Sequence, residues 1–344
     1  MTRPPSPARI AVTGSIAMDH LMSFPGRFAE QLVADHLHSV SLSFLCDRLE
    51  IRRGGVAANI AYGLGRLGMA PVLVGAAGAD FPDYQVWLKQ HGVDTDSVLV
   101  VPGEHTARFV CTTDADHNQI ATFHAGAMRA AYTIALRDVR QRVGELGLVV
   151  VSPNDPAAML RHTEECRGAG LPFVADPSQQ LARMDRADVR FLLGEARWLF
   201  TNEYEAALLQ ECTGWGAASV LDRVGTWVPT LGAGGVRLQR AGHESVVVPA
   251  VPGVAVTDPT GAGDALRAGM LAALALDVPV EAAARLGCAL ASFALESIGT
   301  QTYAPGARAV AGRVREAYGE RVMSTLAEVP ALATVCAPSA RRLL

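Results

Sequence analysis

Asp258-Pro259-Thr260-Gly261-Ala262-Gly263-Asp264-Ala265-Leu266-Arg267-Ala268-Gly269 is the most informative stretch of the chain. A Gly-rich turn runs directly into an apolar helical pattern over Ala265 to Leu276. Free N–H groups and the positive dipole end at a helix start make a ready anion site, and glycines let the backbone approach the anion closely. A carboxylate at Asp264 then stands beside the place where phosphoryl charge develops. Phosphoryl transfer asks for little more than positioning, charge stabilisation and a group that takes the nucleophile's proton. The plainer alternative is that Asp264 only caps the helix after a turn.

Two further motifs lie upstream. Gly54-Gly55-Val56-Ala57-Ala58-Asn59 is a second Gly-rich turn that opens a helix. It reads equally as a simple strand-to-helix turn with Asn59 solvated. Asn202-Glu203-Tyr204-Glu205 follows a strand pattern with N-x-x-E spacing. Residues i and i+3 share a helix face, so Asn202 and Glu205 can point at one hydrated Mg²⁺. The alternative is an N-cap followed by a surface Glu. The chain has neither a G-x-x-x-x-G-K-[ST] loop nor the protein-kinase motif set, which disfavours those two phosphoryl-transfer classes.

Short apolar runs recur at Ile10 to Thr13, Val72 to Val74, Leu148 to Val151, Phe173 to Ala175, Trp198 to Thr201 and Trp227 to Leu231. Several lead through a turn into a helical pattern, as at Ala57 to Leu67, Pro156 to Arg167 and Glu203 to Glu211. This alternation predicts an α/β fold, a mostly parallel sheet flanked by helices, with its site outside the carboxyl ends of the strands. Period-two alternation marks Ser39 to Phe44, and a hairpin is expected from Arg108 to Thr112 and Gln119 to Phe123 around Asp114-Ala115-Asp116. These segments predict a small antiparallel β lid. The expected division is a large catalytic domain over 8–18, 49–103 and 127–335, a lid over 19–48 and 104–126, and flexible ends at 1–7 and 336–344. From Ala307 onward the pattern is helical.

Composition narrows the classes. The 344 residues are half hydrophobic and only 6% aromatic, with 33 glycines, which suits an Ala/Val/Leu-rich α/β protein with many tight turns. A formal charge of −4, from 30 basic and 34 acidic residues without a basic cluster, gives no sign of a nucleic-acid partner. The six cysteines are scattered and include no C-x-x-C pair, so reduced thiols are expected. No signal peptide and no membrane partner are expected, and the chain is read as cytoplasmic.

Taken together, the three motifs resemble the ribokinase-like (PfkB) family of carbohydrate and nucleoside kinases, over roughly Ile10 to Gly299. Within it the chain is most similar to actinobacterial-type adenosine kinases. That likeness rests on Thr13-Gly14-Ser15-Ile16-Ala17 with Asp19-His20, Phe24-Pro25-Gly26-Arg27-Phe28, His38 with Val40 to Leu45, and Ala175 to Arg183. One departure is Leu266, where many relatives carry Phe; it is apolar for apolar.

The resemblance implies ATP-dependent phosphorylation of the adenosine 5′-hydroxyl. Asp264 would be the base, and Gly261, Ala262 and Gly263 the backbone anion hole. Asp19 and Asn59, with Gly55 alongside, would hold the ribose 2′- and 3′-hydroxyls. Ser15, Ser43, Gln180 and Arg183 would line the substrate pocket, and Phe109 and Phe123 would stack the purine. Thr230 and Gly232, with Asn202, would meet ATP, while Asn202 and Glu205 hold the waters of Mg²⁺. Relatives often bind a monovalent cation such as K⁺ near the anion hole, and Asp258 would lie close to it. A homodimer through the lid is expected. A ribokinase or fructokinase of the same fold, or a silent sugar or nucleoside sensor, are the competing functions; the intact Asp264 argues against the sensor.

Overall fold

The computed structural model describes residues 9–31 and 41–336. In chain order its strands are β1 (Arg9–Thr13), β2 (Ala17–Ser23), β3 (Arg48–Gly54), β4 (Val72–Gly78), β5 (Asp94–Val101), β6 (Ala107–Thr113) and β7 (Gln119–His124). There follow β8 (Leu146–Val151), β9 (Phe173–Ala175), β10 (Trp198–Asn202), β11 (Thr226–Thr230), β12 (Val236–Leu238) and β13 (Val246–Val248).

Nine of these strands form one sheet in the order β13-β12-β11-β10-β9-β8-β1-β4-β5. It is parallel from β11 to β5, and only β12 and β13 run antiparallel at one edge. Successive side chains go to opposite faces and both faces are covered. Ile10 and Val12 of β1, with Trp198 and Phe200 of β10, pack with the Val56–Arg66, Ala262–Leu274 and Val280–Leu295 helices. Ala11 and Leu199 turn the other way, into a core shared with the Pro156–Gly168 and Arg186–Leu193 helices. Burial on both faces is why these strands read as unbroken apolar runs.

The remaining strands form a second sheet, β3-β2-β6-β7. β2 lies antiparallel to β3 and parallel to β6, and β6 and β7 form the expected hairpin. The Asp114 carboxylate fastens its turn by accepting from the N–H groups of Asp116 and Asn118, each at 2.9 Å. The expected period-two strand at Ser39 to Phe44 is corrected. Ser39 and Val40 lie outside the described residues, and Ser41 to Cys46 joins no ladder. Phe44 packs instead on Phe24 and Phe28, with ring centroids 5.0 and 4.9 Å away. The small sheet takes in Leu49 to Gly54 through β3, a stretch assigned from sequence to the large domain.

His38, Val40 and the ends 1–7 and 337–344 fall outside the described residues; Cys336 closes a helix, Pro330–Cys336. Among the described residues no helix is long and apolar enough to cross a membrane.

Candidate active site

Asn59, Asp19 of the small sheet, Asp176 just after β9, Glu205 just after β10 and Arg267 gather around Asp264 in the first turn of the Ala262–Leu274 helix. Gly261 is the N-cap of that helix, with φ +79°, a left-handed conformation that costs an L side chain about 1–2 kcal/mol. A Cβ there would also lie 2.9 Å from the Thr300 Cβ. No side chain caps this helix; the Ala262 N–H reaches back to the Pro259 carbonyl at 3.3 Å, and the Gly261 and Gly263 N–H groups stand at the open helix start, where an anion can bind.

Asp264 does not act as a cap. Its Oδ2 accepts from Asn59 Nδ2 at 2.9 Å. Asp264 keeps some exposure, so substrate can reach it. The surrounding protein nevertheless pushes its pKa above the ordinary carboxylate value. Burial is the main cause, Arg267 and the Asn59 bond pull the other way, and Glu205 adds to the rise.

Asn59 and Asp19, expected from sequence to hold a ribose, lie beside Asp264. Gly55, at φ +93°, passes so close to β2 that a Cβ would sit 2.6 Å from both the Ala17 nitrogen and the Ser15 carbonyl oxygen. Ser15 is buried and its Oγ accepts from the Val56 N–H at 3.0 Å, capping the helix that carries Asn59. Asp19 on β2 stands in register with Arg52 of β3 and Phe109 of β6, and Phe109 with Phe123 of β7. Residues opposed in register share a face, so one row runs Arg52, Asp19, Phe109, Phe123 across the small sheet. Phe109 is half-buried and Phe123 is 46% exposed, an open aromatic wall. Burial raises the Asp19 pKa to about 6; Arg52 opposes the rise and Asp264 adds to it.

Gln180 is buried in the turn after β9, and its Oε1 has no partner. Ser43 and Arg183 are exposed, and no hydrogen bond ties either to the Asp264 cluster among the described residues. Thr230 at the end of β11 and Gly232 just beyond it line a cavity of about 580 Å³. Val254, Leu295 and Ala291 give it apolar walls, and Ala262 and Gly263 close it at the anion hole.

Asn202 and Glu205 form a reciprocal capping box. Asn202 Oδ1 accepts from the Glu205 N–H at 2.7 Å, and Glu205 Oε2 from the Asn202 N–H at 2.8 Å. The cap alternative is therefore realised. Glu205 still reaches the site, accepting from Ser178 Oγ at 3.0 Å and adding negative charge near Asp264 and Asp176.

Two site residues, Arg267 and Asp176, had no role in the sequence reading. Arg267 is buried one turn after Asp264 and pairs with the buried Asp176 at 2.7 Å. Burial pushes Asp176 up to about 6 despite that partner; burial also lowers the Arg267 guanidinium, but Asp176, Asp264 and Glu205 together hold it above its ordinary value. The available signal for Arg267 was a charge in an otherwise apolar helix. Asp258, expected beside a cation, accepts from Thr260 N–H at 2.9 Å with Oδ1, and from Gly299 N–H at 2.9 Å and Arg52 at 3.2 Å with Oδ2. Burial pushes its carboxyl up, but these donors outweigh it and hold it below its usual pKa.

Comparison with known proteins fits this geometry. The model of the pfkB family of carbohydrate kinases matches residues 12–306. A nucleoside kinase of Methanothermobacter thermautotrophicus is 31% identical over 274 residues, covering 79% of this chain and 87% of its own length. The structure of Burkholderia thailandensis nucleoside kinase in complex with inosine superposes with a TM-score of 0.80 at 34% identity, covering 90% of this chain and 98% of that one. The nucleoside kinase of Methanocaldococcus jannaschii gives a TM-score of 0.78 at 25% identity, covering 90% and 98%. These relatives carry the broader name nucleoside kinase, and the narrower likeness to adenosine kinases is not what they display. The chain belongs to the pfkB family of carbohydrate kinases, as an ATP-dependent nucleoside or sugar kinase of the ribokinase type.

Proposed function

We propose that this kinase transfers the γ-phosphoryl group of ATP to the 5′-hydroxyl of adenosine, giving AMP in purine salvage. The observation that carries the nucleoside reading is the row Asp19, Phe109, Phe123 on one face of the small sheet. A carboxylate suits a ribose diol, and an open aromatic pair suits a flat base; a plain sugar gains nothing from the second. The preference for adenine is inferred from the likeness to adenosine kinases in the runs Thr13 to Ala17 with Asp19-His20 and Ala175 to Arg183. A broad nucleoside kinase is the second reading, favoured by the exposure of Phe123, because stacking alone accepts any base.

In this reading the Asp264 carboxylate takes the proton of the 5′-hydroxyl as the hydroxyl oxygen bonds to the γ-phosphorus and the bond from that phosphorus to the β–γ bridging oxygen breaks, releasing ADP. The amides at Gly261 to Gly263 hold the charge that develops on the phosphoryl oxygens. Asp19 and Asn59, with Ser15 and Gly55 beside them, orient the ribose, Ser43 and Arg183 would join the pocket only once it closes, and the small sheet closes over the ribose to exclude water. The nucleotide lies in the cavity by Thr230 and Gly232.

Among the described residues no group of three or more His, Cys, Asp or Glu could cage a metal ion. Mg²⁺ arriving on the nucleotide would have its waters met by Asn202 and Glu205 at the start of the helix after β10, and it would supply charge neutralisation on the phosphates. K⁺ at Asp258 does not fit as readily, since both carboxylate oxygens already accept hydrogen bonds, one from Arg52. Pairing of two copies through the outer face of the small sheet is supported by exposed Leu49, Ile51 and Ile120, which alternate away from Asp19. Sedimentation that shows only monomer at micromolar concentration would remove the dimer.

The deciding experiment is an ADP-release assay with adenosine, inosine, ribose and fructose side by side. Adenosine should give the highest kcat/KM. Equal rates with inosine would leave the broader nucleoside kinase, and a preference for ribose or fructose would overturn the nucleoside reading.

A further inference from the structure

Either end of the Asn59 amide can face Asp264, and only one end helps the carboxylate. An N–H stabilises it, whereas a carbonyl oxygen there would repel it. In the structure the N–H faces Asp264. That choice is made by a chain of bonds anchored in groups with no choice of their own. The Trp87 indole N–H can only donate, and it donates to Gln301 Oε1 at 3.2 Å. This turns Gln301 Nε2 toward Asn59 Oδ1, at 2.9 Å. The Tyr84 hydroxyl imposes the same direction. Its proton goes to the Gly54 carbonyl at 2.9 Å, so toward Gln301 Nε2 it can only accept. Gln301, Tyr84 and Asn59 are 3%, 2% and 4% exposed, so water has little access to satisfy a flipped amide.

We infer that Gln301, anchored by Trp87 and Tyr84, sets the orientation of the Asn59 amide and so aims an N–H at the Asp264 carboxylate. The three are positioning residues, and the inference rests on the reading of Asp264 as the base. The relay joins the Pro82–Gln90 helix, the segment that follows the Val280–Leu295 helix, the Val56–Arg66 helix and the helix of the anion hole. Gln301 and Asn59 are 242 positions apart in the chain, so no local motif displays the link.

The test replaces Gln301 by Met, which keeps the volume and removes all three side-chain hydrogen bonds, to Trp87, Tyr84 and Asn59. A charge-assisted hydrogen bond is lost at the base, so kcat should fall about 10- to 100-fold. The Asp264 titration, read by carboxyl ¹³C NMR on aspartate-labelled protein and assigned with Asp264→Asn, should move to higher pH, and the acid limb of the kcat profile with it. The other charged or titratable groups around Asp264 stay in place: Arg267, Asp176, Glu205, Asp19 and Tyr303. Trp87→Phe and Tyr84→Phe each leave one anchor, so the double variant should lose more than the product of the two single losses. A loss of stability alone, with the titration and kcat of Gln301→Met unchanged, would overturn the relay. Simple multiplicative behaviour of Trp87→Phe and Tyr84→Phe would overturn the double anchor. If Asp264→Asn kept its turnover, the base reading would fail, and the carboxyl titration of Gln301→Met would still decide the relay.

Discussion

Replacing Asp264 by Asn separates the base from every structural role the residue has. The change is nearly isosteric. The introduced amide can still accept from Asn59 Nδ2 through its carbonyl oxygen, where the Asp264 carboxylate accepts at 2.9 Å. The amides at Gly261 to Gly263 are untouched, and no cap is lost because Asp264 bonds none of the helix N–H groups. What disappears is the proton acceptor, and general-base contributions are about 10²–10⁴-fold, so kcat should fall by that order. Adenosine affinity should change little, since the ribose is held by other groups. Stability should rise. Burial raises the folded pKa of Asp264 above its unfolded value, so stability is lost as pH rises from the unfolded pKa through the folded one, and the loss is complete above the folded pKa. The melting temperature of Asp264→Asn should therefore exceed wild type at neutral pH, and the gain should vanish in acid, where wild-type Asp264 is protonated. For the same reason wild-type kcat should fall as pH drops through a value above the ordinary carboxylate range. ADP release gives kcat, calorimetry gives adenosine affinity, and thermal melts at two pH values give the linkage. Near-wild-type turnover in a stable, adenosine-binding variant would refute the reasoning, and most of the proposed mechanism with it.

Asp19→Ala should cost roughly 2–4 kcal/mol in kcat/KM, because the ribose hydroxyls lose a charged partner in a closed site. Since Asp19 titrates at about 6, the wild-type KM for nucleoside should rise as pH falls below that value, and the Ala variant should lack this dependence. Arg267→Met leaves Asp176 buried without its partner and should destabilise by about 3–5 kcal/mol, measured by urea unfolding; adding Asp176→Leu should recover much of the loss. Gly261→Ala forces φ +79° on a residue with a Cβ and presses it against Thr300, so both kcat and stability should drop, with the stability loss at least about 1–2 kcal/mol.

The parts of the fold that were legible are those where local sequence and tertiary burial agree. Leu148 to Val151 and Trp198 to Phe200 are apolar runs because the sheet is covered on both faces. Gly75 to Gly78 is equally buried strand, yet Gly and Ala carry little β preference, so only Val72 to Val74 was readable. β2, Ala17–Ser23, has no β-branched residue, and its extended form comes from ladders to β3 and β6 on both sides. The opposite failure is Ser41 to Phe44, which continues the alternation and makes no ladder, because Phe44 finds two aromatic partners instead.

At the site the same logic separates motif from support. Gly261, Gly263 and Asp264 are adjacent in sequence because one turn must deliver both anion donors and base, so a twelve-residue string reveals them. The groups that set the base's charge and direction come from elsewhere: Asn59 is 205 positions away and Asp176, which pairs with Arg267, is 91 positions from it. Burial raises the Asp264 pKa; Arg267 and the Asn59 N–H oppose the rise, while Asp176 pairs with Arg267. A base needs a pKa raised enough to accept a proton and low enough to be ionised before it does so. That balance is a property of three partners acting on one carboxylate, two of them distant in the chain. It follows that a change at Arg267, Asn59 or Gln301 should alter the pH dependence of turnover while the Gly261-to-Asp264 motif, read as sequence, stays intact.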